Sequence, residues 1–376
     1  MYLGIRISVS AILRSSGFSP LSLFSSGAQG VWYDPSDLTT MFTDRAGTIP
    51  VTAPGQTVGK RLDKSGRGNH ATAPTDASRL TYGVEPKTGR RNLLLATDTL
   101  STQSLTVAAV AHTLAFTGTG TVILTGASTA GPLVGTGAGN RVSLTFTPTA
   151  ASLTLTVTGS VTFGQLQLGS VDTAYQRVTT AYDVTEAGVP ACHYCQYDGS
   201  DDSMSTAAID FTSTDKVSVF AGVRKLSDAA TGTILELSND INTNTNCFGL
   251  YGPNFTGTIP QSGNYLFLSK GTSGANAQTG NTSYPAPTTN ILTGLGDISG
   301  DSSILRANGV QIAVSAADQG TGNYGNYPMF FGRRNNATNP FSGKDYGIIV
   351  VGKTASAAEI TNTEAYLAAN TPGVTL

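Results

Sequence analysis

Charge is scarce in this sequence. Its 376 residues carry 22 Lys and Arg against 24 Asp and Glu, 12% in all, for a net charge of −2. No basic stripe runs through it, which removes the attraction on which nucleic-acid binding rests. The pairs Lys60-Arg61, Arg90-Arg91 and Arg333-Arg334 are scattered and read as solvated turns. Long apolar runs are missing as well, and nothing approaches the ~20 residues a membrane-spanning helix needs. The opening MYLGIRISVSAILR is interrupted by Arg6, Ser8 and Ser10, and no small-x-small cleavage site follows, so a signal peptide is not expected. Nucleic acid and membrane are therefore not expected partners.

Cysteine is nearly absent, at three residues, which excludes a disulfide framework. Cys192 and Cys195 bracket His193 in a CxxC spacing. A redox motif of that spacing opens a helix, whereas this one runs straight into QYDGSDD. A zinc site needs four ligands, and only Cys247 and two distant histidines remain. Structural thiols are the favoured reading, and no cofactor is expected.

Catalytic patterns are missing too. There is no G-x-S-x-G and no H-E-x-x-H. His70 follows GRGN in a turn, His112 lies among small residues, and His193 sits between cysteines. A glycosidase needs two carboxylates about 5 to 9.5 Å apart; Glu236 in TILELSN is the one Glu with clear strand-like surroundings. The chain reads as a non-enzyme.

What is abundant is Gly, at 44 residues, together with Thr and Ser. With 39% hydrophobic content, this is the composition of an all-β protein with many short strands and tight turns. Period-2 alternation is clear in KVSVFAGVRK, where Val217, Val219, Ala221 and Val223 share one face. It recurs around residue 155, where Leu153, Leu155 and Val157 face a core and Thr154, Thr156 and Thr158 face out. Asn308-Gly309 between two apolar runs predicts a hairpin. The run IIVV near residue 350 predicts a central strand buried on both faces. One helix is expected near the C-terminus, capped by Ser356 and Glu359, with Ile360, Tyr366 and Leu367 on its apolar side and Pro372-Gly373 as its stop.

Longer passages carry a family resemblance. VWYDPSDLTTMFTDRAGTIPVTAPGQTVGKRLDKSGRGNHAT, residues 31–72, resembles the opening of the concanavalin A/laminin G-like jelly rolls of tailed-phage structural proteins. CQYDGSDDSMSTAAIDFTSTDKVSVFAGVRK resembles a later part of the same fold, and EITNTEAYLAANTPG its short closing helix. Between them, GRRNLL and GQLQLGSVDTAYQRV resemble the two ends of a carbohydrate-binding-module-like β-sandwich, although the family's aromatic strand after RNLL is here LLATDTLSTQSLTVAA. The resemblance implies two antiparallel sandwiches: a discontinuous laminin G-like jelly roll over 29–84 and 182–376, and an inserted sandwich over 85–181. Residues 1–28 would form an arm that docks on the virion, with Leu3, Ile5, Ile7 and Val9 alternating as in an added strand.

By the same resemblance the protein is a virion structural component: a tail fibre, tail-tip or receptor-binding protein first, a capsid decoration or head-fibre protein second. A glycan depolymerase or a secreted bacterial adhesin would come after these. Its expected partners are other virion proteins, sister copies in a homo-oligomer (a trimer favoured), and a host surface glycan. Candidate contact residues are Tyr251, Asn254, Phe255, Tyr284, Tyr324 and Tyr327 in Gly/Asn-rich loops, with Arg333 and Arg334 beside them. These would serve a protein interface equally well. Asp198, Asp201 and Asp202 form the one turn with calcium-like composition, against the simpler reading of an acidic turn that caps its own backbone. The sequons at Asn254, Asn281 and Asn336 carry no meaning in a phage protein.

Overall fold

The computed structural model describes residues 17–254, 263–280 and 282–376. Leu3, Ile5, Ile7, Val9, Phe255 and Asn281 lie outside the described residues. Among the described residues the protein is all-β, with one α-helix, Ala357–Ala369, and short 3-10 turns.

Two large sheets face each other. One has eleven strands and is centred on Ser342–Val351; the other has nine and runs from Met41–Phe42 to Gly274–Gln278. Both ladders are antiparallel almost throughout. The alternation in Lys216–Lys225 orients that strand as its sequence implies: Val217, Val219, Ala221 and Val223 enter the core between the sheets. Phe220, between them, points the other way, into a second apolar layer.

That second layer explains the IIVV run. Ile348 and Val350 belong to the inter-sheet core, whereas Ile349 and Val351 pack outward against Leu367 and Ala368 of the helix and Leu23 and Phe24 of the 3-10 turn Pro20–Phe24. Each such side chain contributes about 1.5–3 kcal/mol by its burial. The helix starts at Ser356 with a complete capping box to Glu359. Its C-terminal end is met by Lys87, whose Nζ donates to the carbonyls of Ala368, Thr371 and Val374, a cation placed where the helix dipole favours one.

Lys60-Arg61 does not form a solvated turn. Arg61 lies on a strand of the nine-stranded sheet and crosses the core to Asp345, on the central strand of the other sheet. Its Nη1 and Nη2 donate to the two carboxylate oxygens at 2.9 and 3.0 Å, with side-chain exposures of 3% and 1%. Tyr197 adds an O–H bond to the same carboxylate, and the Tyr33 ring lies 5.1 Å from the guanidinium carbon. The turn after Arg61 is organised by Asp63, whose carboxylate accepts from the amides of Trp32, Ser65 and Asn69. His70 closes it, its Nδ1 accepting from the Asp63 amide at 3.0 Å. Gly66 and Gly68, at φ +79° and +75°, supply the left-handed steps the turn requires.

A smaller sandwich sits apart from these sheets. It has a four-stranded and a three-stranded layer, built from strands between Gln103 and Leu168, around a core of Leu94, Leu114, Phe116, Leu153, Leu155, Leu166 and neighbours. Its Thr residues pair across strands, as Thr117 with Thr162 at 2.9 Å and Thr154 with Ser104 at 2.7 Å. The strand Gln176–Thr180, placed with this sandwich on sequence, belongs to the eleven-stranded sheet instead. It pairs with Asp183–Glu186, which meets Leu80–Pro86 in parallel. Entry and exit are pinned together: the Gln176 side chain accepts from the amides of Arg91 and Asn92, and Asn92 Nδ2 returns a bond to the Gln176 carbonyl. The Asn308-Gly309 hairpin has the expected register, Ala307 opposite Val310, with both turn residues at positive φ.

Cys192 and Cys195 lie on one strand three residues apart, so they face opposite sides of the sheet: Cys192 packs with Tyr194 and Tyr346, Cys195 in the inter-sheet core. All three cysteines are buried and free. Burial pushes Cys192 up to about 11 and Cys195 and Cys247 up to about 12, so they remain thiols.

Candidate functional site

The best-built polar site lies beside the strand Thr233–Leu237 of the nine-stranded sheet, where two asparagine-rich loops meet. The first follows the strand Thr233–Leu237 and reads SNDINTNTN; the second follows Asn326–Phe331 and reads RRNNATNP. Each is locked by its own side chains. Asp240 Oδ1 accepts from the Asn242 amide, and Asn244 Oδ1 from the Asp240 amide. In the second loop the Arg334 and Thr338 backbones bond in both directions, and Asn335, Asn336 and Asn339 stand at φ +49°, +54° and +54°. Asn tolerates that left-handed conformation better than other side chains do. The cleft between the loops encloses about 240 Å³ and is lined by Asn239, Asp240, Asn242, Arg334, Asn335, Ala337 and Thr338.

Its floor is a buried network around Glu236. Glu236 Oε1 accepts from Ser238 Oγ at 2.9 Å and the Ile241 amide at 3.1 Å. Oε2 accepts from Tyr251 O–H at 2.7 Å and Arg334 Nε at 2.9 Å. The carboxylate is thus fully engaged and holds the cleft's first loop and its arginine; it is not placed to accept a substrate's proton. The Arg334 guanidinium also lies over the Tyr251 ring, 5.7 Å from its centre.

The residues singled out on sequence divide accordingly. Arg334 lines the cleft and Tyr251 supports it from below. Tyr251 and Tyr324 are only 1% exposed, so neither offers a face to a ligand. Tyr324 sits edge-on to Phe248 and shares a 2.6 Å hydrogen bond with Ser269, as a core residue does. Tyr327 is half-buried, its O–H donating to the Thr245 carbonyl on the flank of the first loop. Tyr284 is half-buried against Tyr265, and the Asn254 amide donates to Asn264 Oδ1; neither reaches the cleft. Arg333 donates to the carbonyls of Ala337 and Asp201 and braces the second loop. Nor are Arg90 and Arg91 free at a turn: Arg91 forms a two-pronged pair with Glu186, and Arg90 donates to the Asn92 carbonyl. Asn239, Asp240, Asn242 and Asn335 were not singled out. Their signal was the density of Asn in two loops that precede and follow predicted strands.

Asp198, Asp201 and Asp202 bring ligand atoms within 4.8 Å of one another, the one such cluster among the described residues. Much of that oxygen is already engaged by the turn itself. Asp198 Oδ1 accepts from the amides of Ser200, Asp201 and Asp202, and Asp202 Oδ2 from the Asp198 amide. Burial, with the charge of Asp198 adding to it, pushes Asp202 from 3.8 up to about 7. A carboxyl raised in the folded state stabilises it when protonated, so this contribution is full below about 3.8 and is lost as pH rises through about 7. Asp202→Asn is therefore expected to flatten the fall in Tm between pH 4 and pH 7 and to melt above the parent at pH 8. Thermal melts of both proteins across that range check it.

No family model matches this sequence, and no curated protein matches it. Solved structures resemble it over part of its length. The CBM40 of Ruminococcus gnavus IT-sialidase, bound to alpha2,3 sialyllactose, is 17% identical with a TM-score of 0.31, over 42% of this chain and 83% of that one. Domain 4 of AbnA, a GH43 extracellular arabinanase from Geobacillus stearothermophilus in complex with arabinotriose, is 13% identical with a TM-score of 0.34, over 52% and 82%. The NanB sialidase of Streptococcus pneumoniae is 14% identical with a TM-score of 0.33, over 44% of this chain and 26% of that one.

Proposed function

We propose that this chain is a non-enzymatic virion protein of a tailed phage, of the tail-fibre or receptor-binding kind, that contacts a host surface glycan through the asparagine-lined cleft. The cleft carries the reading. Amide side chains both donate and accept, as sugar hydroxyls do, and here they stand on loops already fixed, so little ordering entropy opposes binding. The phage assignment rests on the resemblance of residues 31–72 and of the inserted sandwich's two ends to phage jelly rolls and carbohydrate-binding modules. Contacts with other virion proteins and assembly as a homo-oligomer, a trimer first, belong to the same proposal.

The labelled protein should bind saturably to an array of bacterial capsular and O-antigen polysaccharides. The triple variant Asn239→Ala, Asn242→Ala, Asn335→Gly should bind about ten- to a hundredfold more weakly, from the loss of a few hydrogen bonds of about 0.5–1.5 kcal/mol each. Glycine at 335 keeps the left-handed backbone, so folding is undisturbed. Absence of binding by the parent, or equal binding by the variant, removes the cleft as the receptor site. The capsid-decoration role then becomes the better reading.

A further inference from the structure

The small sandwich carries a strained aromatic that its own core does not use. Phe163 lies within the strand Val161–Leu168, yet its φ is +52°, a conformation that bulky side chains rarely adopt. The pairing with His112–Gly118 slips between Thr162 and Gln165, so Phe163 sits in a β-bulge. The bulge is held from behind: the amides of Phe163 and Gly164 donate to the carbonyls of Asp98 and Thr97, and Arg141 donates to the Phe163 carbonyl. The ring is 45% exposed and absent from the sandwich core. Bulges re-aim side chains next to binding sites, and strain held this firmly points toward function.

The ring is aimed at Tyr175, on the segment leading into the eleven-stranded sheet, the host sheet into which the small sandwich is inserted. The two centroids are 5.3 Å apart and the planes meet at 70°, forming an aromatic corner. The corner opens on a cavity of about 350 Å³, lined also by Asp98, Arg177, Thr185 and Glu186, within the size range of ligand pockets (about 300–1,000 Å³). Its polar rim is ordered. Asp98 accepts from Tyr175 O–H at 3.1 Å and from Arg177 Nε at 2.6 Å, and Tyr175 O–H is also 2.7 Å from Thr97 Oγ1. Both members of the Asp98–Arg177 pair are about half exposed, so they can still meet a ligand.

The geometry points to a second carbohydrate site, at the seam between the small sandwich and the host sheet, that takes a single neutral pyranose ring. Two rings near a right angle do not make the flat platform that supports an extended chain. They cradle one sugar, with an apolar C–H face against one ring and an edge against the other, while Asp98 and Arg177 meet its hydroxyls. This selects a terminal or branch residue. The site shares no lining residue with the asparagine cleft and does not depend on it.

Saturation-transfer NMR with the methyl pyranosides of glucose, galactose, mannose and N-acetylglucosamine tests it on the full chain. At least one should receive transfer from the parent protein and at least fivefold less from Phe163→Gly, in which the asparagine cleft is intact. Glycine relieves the left-handed strain, so Phe163→Gly should melt no lower than the parent. Should it fail to fold, Phe163→Leu keeps an apolar contact with Tyr175 without a flat face, and it too should lose the signal. No transfer to any of the four glycosides, or undiminished transfer in the variant that folds, would overturn the proposal.

Discussion

Asp345→Ala is expected to lower the unfolding free energy of the large sandwich by about 3–5 kcal/mol. The loss is large because of what remains. Arg61 would keep its charge in a core where its side chain is 3% exposed, and among the described residues no other carboxylate bonds it. A guanidinium cannot escape by releasing a proton, so it must drag water or backbone toward it. The partner variant, Arg61→Met, leaves the Asp345 carboxylate with the Tyr197 O–H as its remaining bond and is also expected to cost stability. Replacing both, Arg61→Met with Asp345→Leu, should recover most of the loss, since apolar pairs of similar volume often match buried ion pairs. Urea unfolding followed by tryptophan fluorescence reads the right sheet. Trp32 is the sole tryptophan, and it pairs with Ile349 on the same central strand as Asp345. If Asp345→Ala costs under 1 kcal/mol, the pair is not the inter-sheet tie described above.

Glu236→Gln is expected to cost about 2–4 kcal/mol and to abolish binding at the cleft. An amide cannot satisfy all four donors that converge on this carboxylate. Turned one way, its NH2 faces the Arg334 Nε–H; turned the other, it faces the Ile241 amide. Either way two donors confront each other in a site where Glu236 is fully buried. One loop of the cleft then loses its anchor, the second through Arg334 or the first through Ile241 and Ser238. Hydrogen exchange locates the damage: protection should fall sharply at the Ile241 amide of the first loop or at the Arg334 and Thr338 amides of the second, while amides in Lys216–Lys225 exchange as before. Tyr251→Phe removes one donor only and should cost about 1 kcal/mol, with binding retained. A Glu236→Gln protein that binds as well as the parent would show that the network does not shape the cleft.

Both networks mark where a linear reading stops. Interactions closed within a few residues were legible: the capping box of Ser356 and Glu359, the Asn308-Gly309 turn, and the alternation of Lys216–Lys225. IIVV was legible too, because a strand apolar at every position needs cover on both sides. Arg61 looked like a surface residue because its partner is 284 positions away, and Arg334 because Glu236 is 98 away. A buried charge differs from a solvated one only in its partner, which local pattern does not name. The tyrosines failed for a related reason. Tyr251 ends a strand whose five residues are all buried, and Tyr324 is recruited inward by Phe248 and Ser269, contacts that Gly/Asn-rich flanks conceal. The cleft was half visible, through Arg334 and the abundance of Asn. The aromatic corner was not, because a bulge that turns one phenylalanine leaves no trace in an otherwise regular alternation.

The clasp between Asn92 and Gln176 has an evolutionary consequence. The chain leaves the host sheet and re-enters it at nearly the same point, and the register there is set by host strands on either side. Whatever is strung between those two residues is a cassette. A recombination event that exchanges it for another module keeps both ends of the clasp and has few contacts to remake on the larger sheet, the Asp98–Arg177 pair and the Thr97–Val178 bonds among them. Any specificity housed in the cassette can therefore be replaced in one step, while the cleft, woven from distant strands, can change only one substitution at a time.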